Sequence, residues 1–347
     1  ARDRLSTVYM PGNKITMLPD AVVEAYTLAE GKPRPAVSLY LTVNEGLEIV
    51  GHESRLERVH VAANLRHHEI EPLFNEATLA AGLGDFRFAQ ELKLLWQLAC
   101  ACEGRRGKPS ATQGIFDYNF DVFPDASDPT GAADRIEISA RKRGSPLDKL
   151  VAELMIVANA TWGGLLAEKK VACIYRAQTA GKVRMTTSPL PHEGLGVPQY
   201  AWSSSPLRRY VDLVNQWQLI TLLQDRAPHF GAKSDALFAA MRDFDLTYAA
   251  YAEFQRHMER YWCLRWLEQK GVTEIEGTVR KENLVKLDPL PLMQRVPSLP
   301  ELSMGQRVKL SVESWDTLSL ELNLRFVAVI ESADVVADVG DDEEAGA

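Results

Sequence analysis

The sequence predicts an α+β body followed by a small all-β unit, and three observations predict it. Within the first 270 residues, stretches with apolar residues at helical spacing (147–168, 205–223, 235–268) alternate with paired β-rich segments. After Val272 the pattern changes to short alternating runs, such as Val308-Lys-Leu-Ser-Val312 and Leu318-Ser-Leu-Glu-Leu-Asn-Leu-Arg325. From residue 331 onward the chain is acidic and has no apolar period, which reads as a disordered tail. The expected division is therefore 1–270, 271–330 and 331–347.

In chain order, residues 1–35 carry turn punctuation at Pro11-Gly12, Pro19, Gly31, Pro33 and Pro35, and read as loop and short helix. Segments 35–43 and 47–61 read as two strands of a hairpin turning at Asn44-Glu45-Gly46. Segments 70–79 and 86–103 read as helices. The second carries an apolar stripe at Leu92, Leu95, Trp96, Ala99 and Cys100, and Gly104 with Gly107-Lys108-Pro109 ends it. Segments 115–123 and 133–140 pair as strands around a turn-rich 125–131. A long helix over 147–168 precedes a short strand at 172–176, and 235–268 is mostly helical.

A chain of 347 residues has room for one large domain or two to three ordinary ones. No apolar run reads as a membrane span, and no secretory signal opens the chain, so no membrane partner is expected. Cys100, Cys102, Cys173 and Cys263 show neither paired spacing nor a disulfide framework, which implies reduced, buried thiols in a cytoplasmic protein. The net charge of −8 argues at first against an RNA partner. Yet residues 331–347 hold seven acids and no base, so the rest of the chain is close to neutral. Basic clusters remain at Arg105-Arg106-Gly107-Lys108, Arg141-Lys142-Arg143 and Arg208-Arg209.

The most informative stretch is Tyr200-Ala-Trp-Ser-Ser-Ser-Pro-Leu-Arg-Arg-Tyr-Val-Asp212. Pro206 suits the first turn of a helix, and Ser204 or Ser205 can cap it. Arg208 and Arg209 would then lie in the first turn, where the macrodipole disfavours cations. Free N–H groups together with a guanidinium make an anion site, most naturally for phosphate. Two surface arginines behind a good cap are the plainer alternative.

This segment resembles the Thr-Ser-Pro-Ile-Arg-Arg-Tyr-x-Asp signature of the ribonuclease II family's catalytic (RNB-type) domain. Three further segments resemble that family in the same order: Tyr9-Met-Pro-Gly-Asn-Lys-Ile-Thr-Met-Leu-Pro19, Val151-Ala-Glu-Leu-Met-Ile-Val-Ala-Asn159 and Pro191-His-Glu-Gly-Leu-Gly196. Leu302-x-x-Gly-x-x-Val308, followed by Val312, Asp316, Leu320 and Leu324, resembles the end of an S1-like OB barrel, a fold that binds single-stranded RNA.

The resemblance implies 3′-to-5′ hydrolysis of single-stranded RNA to nucleoside 5′-monophosphates, with Mg²⁺ or Mn²⁺ held by clustered aspartates. That Asp-rich run precedes the segment matching Tyr9–Pro19 in the family and is absent here, so the metal ligands are expected outside this chain, in an N-terminal segment of the same protein. A non-catalytic RNA-binding homologue that has lost the metal site is the alternative. Asp128-Pro-Thr-Gly-Ala-Ala-Asp134 lies in the wrong order to supply the ligands, and a turn between strands explains it.

By the resemblance, Arg208 contacts the scissile phosphate, and Arg209 is a second phosphate contact or a structural ion pair. Glu153 contacts ribose hydroxyls or lies on a solvated face. Tyr210 either touches RNA or fixes the helix. His67 stands where the family has a base-clamping tyrosine, and stacking on a base remains open to it. Phe116 packs against 3′-terminal bases or is a core residue. Gln255 stands where the family has a glutamate and cannot act as a base; Glu253 and Glu259 are nearby.

Overall fold

The computed structural model describes residues 3–109, 115–131 and 133–331. Its elements, in chain order, are β1 (Val8–Met10), β2 (Asn13–Ile15), α1 (Asp20–Tyr26), β3 (Pro33–Val43), β4 (Ile49–His60), α2 (His67–Ile70), α3 (Glu76–Ala81), α4 (Ala89–Arg106), β5 (Phe116–Phe123) and β6 (Arg135–Lys142). They continue with α5 (Pro146–Glu168), β7 (Tyr175–Thr179), β8 (Lys182–Thr186), α6 (Tyr210–Leu223), α7 (Asp235–Lys270), β9 (Glu274–Lys281), β10 (Leu284–Asp288), β11 (Met293–Arg295), β12 (Arg307–Asp316) and β13 (Glu321–Glu331). The α+β class is as expected. The acidic tail falls, from residue 332 on, outside the described residues. The chain forms two compact units, the first from Ala1–Val8, Ile15–Gln113 and Arg143–Tyr251, the second from Tyr9–Lys14, Gly114–Lys142 and Ala252–Ala347.

The first unit is built on α5. Ser145 caps it through a reciprocal capping box with Asp148, and Pro146 occupies its first turn. One face buries Ile156 in a cluster with Met17, Val214, Leu237 and Phe244. Another buries Trp162 and Leu166 with Leu219, against which Val37 and Leu39 of the β3–β4 hairpin pack. By length and hydropathy (mean 1.5) α5 could cross a membrane, which the sequence reading overlooked. Here it is a core helix, and it holds Glu153 and Asn159 fully buried with polar partners. α4 runs past the expected 103 to Arg106 and closes at Gly107, one of the residues expected to end it, which takes the left-handed conformation (φ 64°).

Two elements of this unit differ from expectation. The helix expected over 70–79 is two short ones, α2 and α3, the second begun by a capping box between Asn75 and Thr78. The β7–β8 hairpin was only half foreseen. It turns on Ala180 (φ 51°) and Gly181 (φ 78°), a pair of positive φ angles that suits a tight hairpin.

In the second unit β9–β13 form one antiparallel sheet in the order β11-β10-β9-β12-β13. Val279, Val285, Leu287, Leu310 and Leu322 bury against Cys263, Leu264 and Leu267 from the end of α7. No ladder joins β11 to β13 among the described residues, so the closed barrel expected from the sequence is here an open sheet. Gln294 of β11 does donate from its side chain to the Leu322 carbonyl of β13 (2.9 Å). The β5–β6 hairpin lies in the same unit and packs Phe120 and Ile138 against that core.

Candidate functional site

The Ser-Ser-Ser-Pro-Leu-Arg-Arg segment is a turn, and α6 begins only at Tyr210. The expected helix start at 205, with both arginines in its first turn, is thus corrected. The reason is Asp212. Its carboxylate accepts from the Ser205 N–H (2.8 Å) and from Arg209 Nε and a terminal nitrogen (2.8 and 2.9 Å), which folds the chain back onto the helix. The Ser205 carbonyl accepts from the N–H groups of Arg208 and Arg209. No serine side chain caps α6.

Arg209 is 2% exposed, pairs bidentately with fully buried Asp212, and lies 4.0 Å over the Trp202 ring. Arg176 lies over the same ring at 4.3 Å. Of the two roles open to Arg209, the structural ion pair is the one this geometry fits, and a phosphate contact would need that pair broken. Tyr210 is 3% exposed and edge-on to Trp217, with its N–H on the Leu5 carbonyl. It fixes the helix start rather than presenting a surface.

Arg208 is half-buried. Its carbonyl accepts from the Thr7 N–H (2.9 Å) and the Ser6 hydroxyl (3.2 Å), and a bridge joins Ser6 to Arg209. The backbone of this arginine is therefore held from both sides. Asn159 of α5 steadies the approach, accepting from the Ser203 N–H and donating to Tyr200 Oη (3.1 Å) and Ser204 Oγ (3.3 Å). Burial pushes the Tyr200 phenol above its usual range, so it stays neutral as a hydrogen-bond partner.

Glu153 is fully buried, so the solvated-face reading fails. Both of its oxygens accept from Arg106, one from Nε at 3.1 Å and the other from a terminal nitrogen. Arg106 also donates to the Leu195 carbonyl. Gly196 (φ 64°) has no room for a side chain, since a Cβ there would stand 2.6 Å from the Arg106 carbonyl. The Gly-Leu-Gly approach thus receives the end of α4. Sequence reading missed Arg106 because it was counted in a basic cluster. Its neighbour Arg105 also bonds internally, to the carbonyls of Gly46 and Leu47.

His67 pairs with Asp148 (Nε2 to Oδ1, 3.1 Å) at the start of α5, with Glu71 3.7 Å from its other nitrogen. In this structure the ring sits between those two carboxylates. His192 is buried edge-on to Tyr200 and accepts from the Leu195 N–H, fixing its loop.

Phe116 and Gln255 belong to the second unit. Phe116 is 42% exposed at the head of β5, which removes the core reading. Gln255 accepts from the Tyr9 N–H (3.3 Å). Among the described residues no three His, Cys, Asp or Glu side chains gather as a metal centre requires, so these residues do not fit the Mg²⁺ or Mn²⁺ that the resemblance implies.

A family model described as the RNB domain matches residues 1–186 and 178–225. Exoribonuclease 2 of Vibrio parahaemolyticus is 24% identical over 287 residues, covering 66% of this chain and 42% of that protein. RNase R of Mycoplasma genitalium, solved with ribose-methylated single-stranded RNA, superposes with a TM-score of 0.74 at 14% identity, covering 93% of this chain and 63% of that one. Yeast Ssd1, a pseudonuclease, superposes with a TM-score of 0.64 at 17% identity, covering 89% of this chain and 44% of that one. The two structural likenesses are likenesses of fold. The chain spans about half the length of the curated relatives it matches.

Proposed function

This chain belongs to the RNB-domain family, the ribonuclease II type of nuclease, and from that premise we propose that the protein is a 3′-to-5′ hydrolytic exoribonuclease of single-stranded RNA. The products are nucleoside 5′-monophosphates. The divalent metal of such chemistry, Mg²⁺ or Mn²⁺, would have its ligands outside this chain, and the chain's own residues hold the RNA. Arg208 receives the scissile phosphate, Phe116 offers a ring to a base, and the five-stranded sheet serves as an S1-like RNA-binding surface.

One observation carries the reading. The motif divides its two guanidiniums, burying Arg209 on Asp212 while fixing the Arg208 backbone on both sides. A turn so anchored fixes the Cα of Arg208, which lowers the cost of orienting its guanidinium as a phosphate donor. In the full-length protein Arg208→Ala is expected to lower the single-turnover rate by about 10²–10³, the range for losing one such donor. RNA affinity should fall little, because many contacts hold the strand. Arg208→Lys should rescue poorly, since a point charge cannot make the forked contact. Equal losses of rate and affinity would make Arg208 an ordinary backbone contact, and no loss of either would reject the reading.

A second reading, a non-catalytic RNA-binding protein, is favoured by one specific observation. Arg106 seals Glu153, the carboxylate that the enzyme reading sets against ribose. Chelator-sensitive release of mononucleotides by the full-length protein would exclude it.

A further inference from the structure

Residues 200–205 form neither helix nor strand, yet Ala201 and Ser203 are fully buried, and Tyr200 and Trp202 nearly so. A buried irregular segment has no ladder for its N–H and C=O groups, so side chains must supply the partners. Two helices do so here. The Ser203 N–H donates to Asn159 Oδ1 of α5 (2.9 Å), and the Ser203 carbonyl accepts from Gln216 Nε2 of α6 (2.7 Å). The Trp202 carbonyl accepts from Asn215 Nδ2 (2.8 Å). Both backbone groups of Ser203 are therefore held by carboxamides, one from each helix. A carboxamide suits the task, because it offers donor and acceptor without burying a charge.

This clamp lies five residues before Arg208, with little slack between them. Ser204 Oγ accepts from the Asn159 amide (3.3 Å), and the Ser205 N–H donates to Asp212 (2.8 Å). The Ser205 carbonyl then accepts from the N–H groups of Arg208 and Arg209. Gln216 and Asp212 stand four residues apart, on one face of α6. That face sets the positions of Ser203 and Ser205 together, and so the entry of the chain into the arginine turn. Gln216 is only half-buried, whereas Asp212, Asn215 and Gln218 on the same helix are fully buried. Its amide serves the clamp more than the core.

We propose that Gln216 is a positioning residue for Arg208, acting through Ser203 against Asn159. The clamp holds the 200–205 segment in register, so that the turn delivers the Arg208 guanidinium to phosphate with less reorganisation. Its catalytic consequence rests on the assignment of phosphate to Arg208 above; the clamp itself does not.

Gln216→Met, which keeps the length of the side chain and removes the donor, tests it in the full-length protein. The readouts are the single-turnover rate of RNA cleavage, RNA affinity, and hydrogen exchange at the Ser203, Arg208 and Arg209 amides. The rate should fall by about tenfold or more, toward the roughly 10²-fold cost of a misplacement of about 1 Å. Affinity should stay within about twofold, because many contacts hold the strand. Exchange at the named amides should quicken. In an Arg208→Ala background the same change should cost no further rate, since residues that act through one group are not additive. Gln218→Met is the structural comparison. Its amide lies on the same helix but holds the Ala172 and Phe230 carbonyls, so stability should fall with the rate kept. A native rate or unchanged exchange in Gln216→Met, a loss that persists in the Arg208→Ala background, or an equal loss of rate in Gln218→Met overturns the proposal. If Arg208→Ala leaves the rate untouched while Gln216→Met still quickens exchange, the phosphate assignment has failed and the clamp has not.

Discussion

Arg106→Ala should be among the most damaging single substitutions in the first unit. Glu153 has no solvent exposure, and the Arg106 side chain keeps only 10%. Truncating the arginine leaves a carboxylate in the core with both oxygens unpaired, and removing one partner of a buried pair costs about 3–5 kcal/mol. At about 2–4 °C per kcal/mol for a unit of roughly this size, the melting transition should fall by about 10 °C. The arginine's bond to the Leu195 carbonyl disappears too, so the 191–196 loop should loosen, which hydrogen exchange at the Leu195 and Val197 amides would register. The double variant Arg106→Met with Glu153→Leu is the decisive partner. Replacing a whole buried pair with apolar groups is often neutral or stabilising, so it should recover most of the loss. Urea melts of the two single variants and the double then give a coupling energy of several kcal/mol. Loss of less than about 1 kcal/mol in Arg106→Ala, or a double variant no better than the single, would show that the pair does not hold the structure.

Two further outcomes follow from the same geometry. Arg209→Ala should destabilise the fold by about 3–5 kcal/mol, because it strands fully buried Asp212, whereas Arg208→Ala, at a half-buried position, should lower the melting temperature by clearly less; similar melting losses in both would contradict the division of roles between them. Glu259 gives a pH signature. Its carboxyl, which burial disfavours in the charged form, titrates higher in the folded chain than in the unfolded one, so its favourable contribution is complete below the unfolded carboxyl range and disappears as pH rises through the folded value. Melting temperatures followed upward from about pH 4 should therefore decline more in the native chain than in Glu259→Gln, with the variant the more stable at neutral pH; parallel curves would refute this.

Where residues speak to their sequence neighbours, the fold was legible. The β3–β4 hairpin was readable because Asn44-Glu45-Gly46 is a turn between two β-rich runs, and α5 because its apolar period is long. The start of α6 was not, because its position depends on Asp212 reaching back seven residues to the Ser205 N–H, and local cap chemistry pointed to the serines instead. β8 was missed because Ala180 is an unusual residue at positive φ, so only Gly181 signalled the turn. The closed barrel was implied by the resemblance of Leu302–Leu324 to the end of an S1-like OB barrel, and a local motif of that kind is silent on whether the outer two strands meet.

The same limit governs the site. Sequence shows that Arg208 and Arg209 are adjacent, but which of them is buried is decided by Trp202, Ser6 and Asp212, and only Asp212 lies within one helical turn. Charge patterning fails in the same way. Arg105 and Arg106 look like a basic patch, yet one reaches backbone carbonyls in the β3–β4 turn and the other reaches Glu153, 47 residues on. A cluster of like charges in sequence is therefore weak support for a nucleic-acid surface until the acceptor of each guanidinium is known. On the proposed reading the Tyr200–Asp212 segment gives one arginine to phosphate and the other to the fold, and the contrast between Arg208→Ala and Arg209→Ala, one losing rate and the other stability, is the direct measure of that division.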